Sequence, residues 1–219
     1  MAKRFAFSPW LMVWTVLGRT SAYQAFSKFV GGGGKLRHIY TTQHLRIAPG
    51  DRVLDIGCGP ADILSELPSV DYYGFDMNKK YIESARLKFA KRGQFFHEFV
   101  TAEIIGQFQD FDIVMANGVI HHLNDKEALN LLEIAAAALK PKGRLVTLDG
   151  VFTPKQSLLA KYLVSRDRGR YVRDEHAYLH LAQAKFASVQ STIYDRMLRI
   201  PYTHIVMEMC QKSAAGQKP

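Results

Sequence analysis

The fold is decided by the stretch Val53-Leu54-Asp55-Ile56-Gly57-Cys58-Gly59-Pro60-Ala61. An apolar strand that ends in a glycine turn is typical of open α/β sheets, which bind ligands at the carboxyl ends of their strands. Gly57 and Gly59 lack a Cβ atom, so the backbone can turn sharply and approach a ligand closely. Asp76 follows nineteen residues after Gly57, and an acid there can accept hydrogen bonds from both hydroxyls of a ribose. The pattern predicts a ribose-containing ligand at this turn.

Short apolar strands alternate with longer helical stretches around this motif. The predicted strands are Arg52–Ile56, Asp71–Phe75, residues 95–100, Phe111–Ala116 and Arg144–Asp149, and the predicted helices cover residues 35–46, 63–67, 78–91, 126–139 and 175–187. Val189–Leu198 and Tyr202–Cys210 are predicted to form a closing hairpin around Pro201. The expected fold class is α/β, a doubly wound and mostly parallel seven-stranded sheet with a C-terminal antiparallel hairpin and helices on both faces.

Two residues separate the ligands that a Gly-x-Gly turn can bind. A dinucleotide fold favours glycine or alanine at the sixth motif position, where this chain has Asp62. It also places a pyrophosphate at the turn, where the carboxylate of Asp55 would repel it. S-adenosyl-L-methionine (SAM) carries an ammonium and a sulfonium but no phosphate, so an acid attracts it. The residues favour SAM over the alternative of an NAD(P)-dependent oxidoreductase.

Four motifs in chain order resemble those of class I, Rossmann-like SAM-dependent methyltransferases of the small-molecule type. They are the turn Val53–Gly59, the acidic site Gly74-Phe75-Asp76, the fourth strand Phe111–Val114 with its exit His121-His122-Leu123, and the turn Leu139–Leu145. The resemblance covers roughly residues 36–150. It implies SAM as cofactor, S-adenosyl-L-homocysteine (SAH) as product, and methyl transfer to an O, N or C nucleophile.

The resemblance also implies a cofactor site at the carboxyl ends of the strands. The cofactor-binding residues are then Asp55, Gly57, Cys58, Gly59, Asp76, Met77, Thr101, Ala102 and Asn117. Ala61 stands where the family usually has a third glycine. Thr101 or Glu103 occupies the region where an acid often receives the adenine amino group. Cys58 is interpreted as a small residue in a tight turn rather than a nucleophile.

The candidate catalytic residues follow the fourth and fifth strands. His122 is the first candidate, followed by His121 and Asp149. A histidine with a pKa near neutral can act as a general base toward a hydroxyl or an amine. The alternative is a capping or packing role at the start of the next helix. No metal site is expected, because no further His, Asp or Glu falls at ligand spacing near the two histidines.

The net charge of +9 is unevenly distributed. Residues 1–50 contain seven Lys or Arg and no acid, whereas residues 155–173 contain six against Asp167 alone. Arginine grips carboxylate or phosphate groups with two hydrogen bonds each. We therefore expect a small, anionic acceptor, although a solvated surface is the alternative. The candidate substrate-binding residues are Arg168, Arg170, Tyr171 and Arg173.

Other classes of acceptor are disfavoured. Ala116-Asn117-Gly118-Val119 stands where many amino-group methylases of nucleic acids and proteins have Asn/Asp-Pro-Pro-Tyr/Phe. No aromatic-interleaved RNA-binding motif accompanies the basic segments. A small molecule is therefore the expected partner and nucleic acid is not. Outside enzymes, the alternative is a SAM-binding or nucleic-acid-binding module without catalysis.

The expected organisation is an N-terminal helical arm and glycine break over residues 1–34, followed by a methyltransferase domain over residues 35–219. Within that domain, residues 150–174 form a basic substrate-side insertion. Ser8-Pro9 indicates a helix start, and the apolar run Trp10–Leu17 is too short to span a membrane. A docking helix is expected, with a transit peptide or a membrane-surface helix as alternatives. Two cysteines provide no disulfide framework, so a cytoplasmic location is expected.

Overall fold

The computed structural model describes residues 34–166, 169–195 and 197–211. Its strands are β1 Arg52–Ile56, β2 Asp71–Phe75, β3 Gln94–Phe96, β4 Phe111–Asn117, β5 Leu139–Phe152, β6 Arg173–Asp174, β7 Ser188–Tyr194 and β8 His204–Cys210. They form one sheet in the order β3-β2-β1-β4-β5-β8-β7, with β6 paired to β5. β1 to β5 are parallel, and β8 runs antiparallel to β5 and β7. The predicted fold class is confirmed, with the short β6 added to the seven expected strands.

Helices cover both faces of the sheet. They are α1 Lys35–Ile39, which continues as a π-helix over Tyr40–Leu45, then α2 Lys79–Phe89, α3 Ala102–Ile105, α4 Asp125–Ala138, α5 Leu158–Ser165 and α6 Glu175–Gln183. Two 3₁₀ turns lie at Asp62–Ser65 and Ile120–His122. Because side chains alternate along a strand, Leu54 joins the buried cluster of α4 and α6, whereas Val53 joins that of the π-helix and α2.

Strand order determines where a crevice opens. β1 lies between β2 and β4, so the connections leave β1 and β4 toward opposite sides. The carboxyl ends of strands at such a switch point flank the ligand site of open α/β sheets. β1 ends at Ile56, β2 at Phe75 and β4 at Asn117. The glycine turn, Asp76 and Asn117 therefore lie at one edge of the sheet.

The strands of the closing hairpin are shorter than expected, since β7 ends at Tyr194 and β8 begins at His204. β3 and β5 also differ from the sequence expectation, each for a reason of pairing. β3 ends at Phe96 rather than near residue 100, because its neighbour β2 ends at the paired residue Phe75. β5 begins at Leu139, within the expected turn, and its register with β4 shifts between Phe111 and Ile113. At this irregularity, a Cβ added to Gly143 would lie 2.6 Å from the carbonyl oxygen of Phe111. Glycine is therefore needed where the strand rejoins its partner.

The segment expected as an insertion over residues 150–174 begins inside the sheet, because β5 continues to Phe152. It then forms α5 and returns as β6, which pairs with Val151 and Phe152. The predicted arm over residues 1–34 lies outside the described residues, apart from Gly34. Among the helices that the structure describes, none combines the length and the apolar character needed to cross a membrane.

Candidate active site

The glycine turn is held against the end of β2. The backbone N–H groups of Gly57 and Cys58 donate hydrogen bonds to the carbonyl of Phe75, at 2.8 and 3.0 Å. Gly57 has φ +75°, and an added Cβ there would lie 2.7 Å from Cγ2 of Val119. Gly59 has φ +56° with open space around its Cα. The turn is thus closed at Gly57 and accessible at Gly59.

Asp76 is buried at 4% exposure and braces this turn. One carboxylate oxygen accepts a hydrogen bond from the backbone N–H of Gly59 at 2.9 Å, and the other accepts one from Asn78 at 2.7 Å. Burial raises the pKa of Asp76, although these two hydrogen bonds oppose the shift. Each oxygen retains a lone pair, so the carboxylate can accept further hydrogen bonds from the cavity that it lines.

Asp55 is buried more deeply than Asp76, at 2% exposure. Its Oδ2 accepts a hydrogen bond of 2.5 Å from the hydroxyl of Tyr72 on β2. Its Oδ1 is buried and has no hydrogen-bond partner among the described residues. Burial raises the pKa of Asp55 to about 7; the Tyr72 hydrogen bond opposes this shift and the charge of Asp76 adds to it. The carboxylate therefore has capacity for one more hydrogen-bond donor.

A second buried acceptor lies at the end of β4. Oδ1 of Asn117 is buried and accepts no hydrogen bond within residues 34–166, 169–195 and 197–211. The Asn117 side chain also interacts with the hydroxyl of Tyr40, whose pKa is raised mainly by burial and then by the charges of Asp55 and Asp149. Tyr40 reaches the site from the π-helix and contacts the carbonyl of Val146 at 3.3 Å. These acceptors fit a cationic, hydrogen-bond-donating ligand.

The surroundings of Cys58 favour a packing role over a nucleophilic one. Burial raises the pKa of its thiol well above the ordinary value, and the charges of Asp55 and Asp76 add to the shift. Its Sγ lies 3.5 Å from the carbonyl oxygen of Gly59. A thiol that resists ionisation acts as a packing residue, in keeping with the sequence interpretation.

A cavity of about 660 Å³ opens beside Asp76, between the strand ends and α4. This volume is within the range of small-molecule sites, roughly 300–1,000 Å³. Its lining residues are Ile56, Gly57, Phe75, Asp76, Met77, Glu98, Phe99, Val100, Val119, Leu123, Asn124, Lys126, Glu127, Asn130, Leu131 and Ile134. The walls are mainly apolar, which suits a flat aromatic group such as adenine.

Thr101 and Ala102, two of the predicted cofactor-binding residues, do not line this cavity. Thr101 caps α3 by accepting a hydrogen bond from the backbone N–H of Ile104 at 3.3 Å, and neither Thr101 nor Ala102 lines the cavity. Glu98, which the sequence reasoning missed, lines it instead. β3 ends at Phe96, earlier than the sequence predicted. The cavity is therefore lined by Glu98, Phe99 and Val100, which precede Thr101 in the chain. Only the pairing of β3 with β2 fixes this offset.

His121 and Asp149 form a buried pair. His121 Nδ1 lies 2.7 Å from Oδ1 of Asp149, and the His121 backbone N–H donates to the same oxygen at 3.1 Å. Such a carboxylate favours the tautomer protonated at Nδ1. The segment after α5 closes over this pair, because Tyr171 donates its backbone N–H to the carbonyl of His121 at 2.9 Å. Gly169 leaves no room for a Cβ beside the His121 ring.

His122 is less buried than His121. The two rings lie 4.2 Å apart between centroids, inclined at 40°. Both residues belong to the 3₁₀ turn that leaves β4. The structure thus brings together all three candidate catalytic residues, with the Asp149–His121 pair inside and His122 at its outer side.

The candidate substrate-binding residues separate into different environments. The Arg173 guanidinium contacts Asp125 at 2.7 Å and the carbonyls of Ile120, Leu123 and Tyr171 at 3.3, 2.7 and 2.9 Å. These bonds satisfy its donors within the protein, so Arg173 is a structural tie rather than a free anion-binding group. Its neighbours Arg170 and Tyr171 are exposed. Arg168 lies outside the described residues.

A switch-point crevice, a glycine turn and two buried acids define a Rossmann-like α/β protein with its ligand site at the carboxyl edge of the sheet. Residues 54–145 match the family described as a methyltransferase domain. Together with the fold, this match supports the class that the motifs predicted, the class I, Rossmann-like SAM-dependent methyltransferases.

Individual proteins of known sequence or structure are also similar to this chain. The chain is 32% identical over 117 residues to the 27-O-demethylrifamycin SV methyltransferase of Amycolatopsis mediterranei. The aligned residues make up 50% of this chain and 42% of that relative. It is 30% identical over 156 residues to phosphoethanolamine N-methyltransferase 3 of Arabidopsis thaliana, and this alignment covers 68% of this chain and 31% of that relative. The chain thus spans less than half the length of either relative. A solved SAM-dependent methyltransferase from Archaeoglobus fulgidus superposes with a TM-score of 0.66 at 15% identity, covering 85% of this chain and 99% of that one.

The raised pKa of Asp55 predicts a pH-dependent stability. The folded protein binds a proton at Asp55 up to about pH 7, whereas the unfolded chain releases it near pH 4. The free energy of unfolding contributed by this group therefore falls as pH rises from about 4 to about 7, and is constant above. Urea unfolding of the wild type and of Asp55→Asn between about pH 4 and pH 7 tests this prediction. The difference between their free energies of unfolding should change with pH across that range.

Tyr72→Phe provides the matched control. It removes the hydrogen bond that opposes the pKa shift, so the pH dependence should extend to higher pH. A stability difference between wild type and Asp55→Asn that does not vary with pH would show that Asp55 is ionised throughout.

Proposed function

We propose that this chain binds SAM at the carboxyl edge of its sheet and transfers the methyl group to an O, N or C nucleophile of a small, anionic molecule. The observation that carries this proposal is the pair of buried acceptors, Asp55 Oδ1 and Asn117 Oδ1, that have no partner among the described residues. A buried acceptor without a donor is costly, about 1–3 kcal/mol. The ammonium group of SAM would supply donors at this place.

The remaining site residues fit the other parts of SAM. Asp76 would accept the ribose hydroxyls through its free lone pairs, since it already lines the cavity. Adenine would fit the apolar walls provided by Met77, Val100 and Leu131. Glu98 follows β3 and lines the cavity, whereas Glu103 does not, and we assign the contact with the adenine amino group to Glu98. Gly59 would admit the close approach of the ligand, because space around it is open.

A dinucleotide fits less well. The Rossmann site for NAD binds its pyrophosphate at the N-terminus of the helix after the glycine turn. Here the turn leads into a 3₁₀ segment of four residues, Asp62–Ser65. Asp62 opens this segment and forms an ion pair with Lys88 at 2.7 Å. The negative charge of the Asp62 carboxylate repels a pyrophosphate. The single 3₁₀ turn also lacks the long helix whose N-terminus binds one.

When bound, SAM supplies a methyl group on a sulfonium, which is an excellent leaving group. The work left to the protein is therefore alignment of the acceptor and exclusion of water. Holding two reactants in a productive orientation can lower a barrier by about 7–11 kcal/mol. The segment that covers His121, anchored by the Arg173 tie to Asp125 and to the carbonyl of Leu123, would close the acceptor side.

We assign the general base to His122 and a positioning role to the Asp149–His121 pair. Asp149 holds His121 from both its backbone and its ring, and the His121 ring packs against His122. The pair would thereby hold His122 in a fixed orientation toward the acceptor. A base of this kind contributes about 10²–10⁴-fold to a rate.

An anionic acceptor is supported by the charge of residues 155–173 and by the exposed Arg170 and Tyr171. The name of one relative, phosphoethanolamine N-methyltransferase, also indicates an acceptor that carries a phosphate. The name of the other indicates an oxygen acceptor. Both relatives act on small molecules, and the present site would do the same.

Calorimetry with SAH and NADH tests the cofactor. We expect the purified protein to bind SAH and not NADH. Asp76→Ala should weaken SAH binding by about 1.5–3 kcal/mol, because a charged hydrogen-bond acceptor is lost. Asp71→Ala is the matched control, since Asp71 begins the same strand at the opposite edge of the sheet. Binding of NADH in place of SAH would refute the proposal.

Two substitutions test the acceptor side, and the assay is the formation of SAH from SAM in the presence of phosphoethanolamine as acceptor. His122→Ala should lower kcat by about 10²-fold or more with little change in SAH affinity, since only the base is removed. Arg170→Glu should raise the acceptor KM at low salt and leave kcat nearly unchanged, because charge attraction is screened by salt. An unaltered kcat in His122→Ala would leave that residue a packing role.

A further inference from the structure

Exposed apolar side chains are concentrated in one short segment. Among the described residues, six large hydrophobic side chains are exposed, and four of them lie within residues 158–171. These four are Leu158 at 86%, Leu159 at 57%, Tyr162 at 55% and Tyr171 at 41%. Single exposed leucines need no explanation, but a group of this kind marks an interaction surface.

The first three belong to one face of α5. The helix starts at Ser157, which caps it by accepting a hydrogen bond from the backbone N–H of Ala160 at 3.2 Å. Ala160 and Val164 are buried against the rest of the protein. Leu158 and Leu159 are four and three residues before Tyr162, so the three side chains are neighbours on the helix surface. The helix therefore has an apolar face toward its own protein and a second one toward the outside.

Basic residues surround this outer face. Lys155, Lys161, Arg166 and Arg170 are all exposed. The Arg166 guanidinium lies over the Tyr162 ring at 5.4 Å from its centroid. Asp167 is the only acid in residues 155–173. We call the apolar residues Leu158, Leu159, Tyr162 and Tyr171 together with these four basic residues the α5 surface.

We propose that the α5 surface docks on an anionic lipid bilayer, with the two leucines inserted among the acyl chains and the basic residues at the headgroups. Apolar side chains bordered by lysine and arginine are the composition of interfacial helices. Each basic residue near an anionic membrane contributes about 1 kcal/mol. This docking is independent of methyl transfer, so it goes beyond the proposed function.

Charge argues against the other occupants. The N-terminal segment of residues 1–33 contains four Lys or Arg and no acid, so it would bring like charge to the α5 surface. A second copy of the same surface would do likewise. Nucleic acid would satisfy the basic residues, but it offers no apolar interior for Leu158 and Leu159. A bilayer with anionic lipids satisfies both parts of the surface.

The position of the α5 surface gives docking a consequence for access. α5 follows β5, which ends at the carboxyl edge of the sheet, and Tyr171 is bonded to the backbone of His121. The α5 surface therefore lies at the same edge as the candidate active site. A docked protein would present that edge to molecules at the membrane surface.

Vesicle co-sedimentation of the full chain tests the proposal. The probes are vesicles of phosphatidylcholine alone and vesicles with about a third of it replaced by phosphatidylglycerol, at low and at physiological salt. We expect binding to the anionic vesicles only. The double variant Leu158→Glu/Leu159→Glu should bind at least about tenfold more weakly, since insertion of both leucines is lost. Both side chains are exposed, so the fold should be retained, and circular dichroism checks this.

Leu87→Glu is the matched control, because Leu87 is 88% exposed but lies on α2, outside the α5 surface. It should bind the anionic vesicles as wild type does. The proposal is overturned if wild type does not bind anionic vesicles, if it binds neutral ones equally well, or if the double variant binds like wild type. Equal losses in the double variant and in Leu87→Glu would also overturn it, since the α5 surface would then have no special role.

Discussion

The site depends on two carboxylates, Asp55 and Asp76, that are buried at the carboxyl ends of neighbouring strands. Burying two acids side by side is unfavourable, and the protein offsets the cost by hydrogen bonds from the Tyr72 hydroxyl and from the backbone of Gly59 and Asn78. The glycine turn can supply its N–H to Asp76 only because it folds back onto β2. The burial of Asp55 and Asp76 thus accounts for three features of the site. These are the conformation of the glycine turn, the negative potential beside it, and the carboxylate oxygens that can accept further hydrogen bonds.

The region around His121 is held by a different set of hydrogen bonds. Arg173 ties the segment that follows α5 to the start of α4 through Asp125 and the carbonyl of Leu123. That segment covers His121, which is fixed by Asp149 at the end of β5. One arginine therefore connects the segment that covers His121 to α4, the helix that borders the cavity beside Asp76. Arg173 was predicted to bind the acceptor, but its guanidinium forms hydrogen bonds within the protein instead.

Much of the site was predictable because strand ends and glycine turns are local features. The succession of strands along the chain, the positions of Gly57, Gly59 and Asp76, and the neighbourhood of His121, His122 and Asp149 follow from periodicity and motif spacing. The residues that line the cavity after β3 did not follow. Their positions depend on where β3 stops, and β3 stops at Phe96 because β2 has no further residue to pair with.

The sequence by itself determined the fold class and the acids at the glycine turn, because alternating apolar strands and a Gly-x-Gly turn permit few other arrangements. Tertiary structure alone decided which charged residues are available to a ligand. Arg170 and Arg173 are the same type of residue and only three positions apart. Arg170 is exposed, whereas the Arg173 guanidinium donates hydrogen bonds to three backbone carbonyls. Availability depends on contacts with residues some fifty positions away, and no local pattern encodes those contacts.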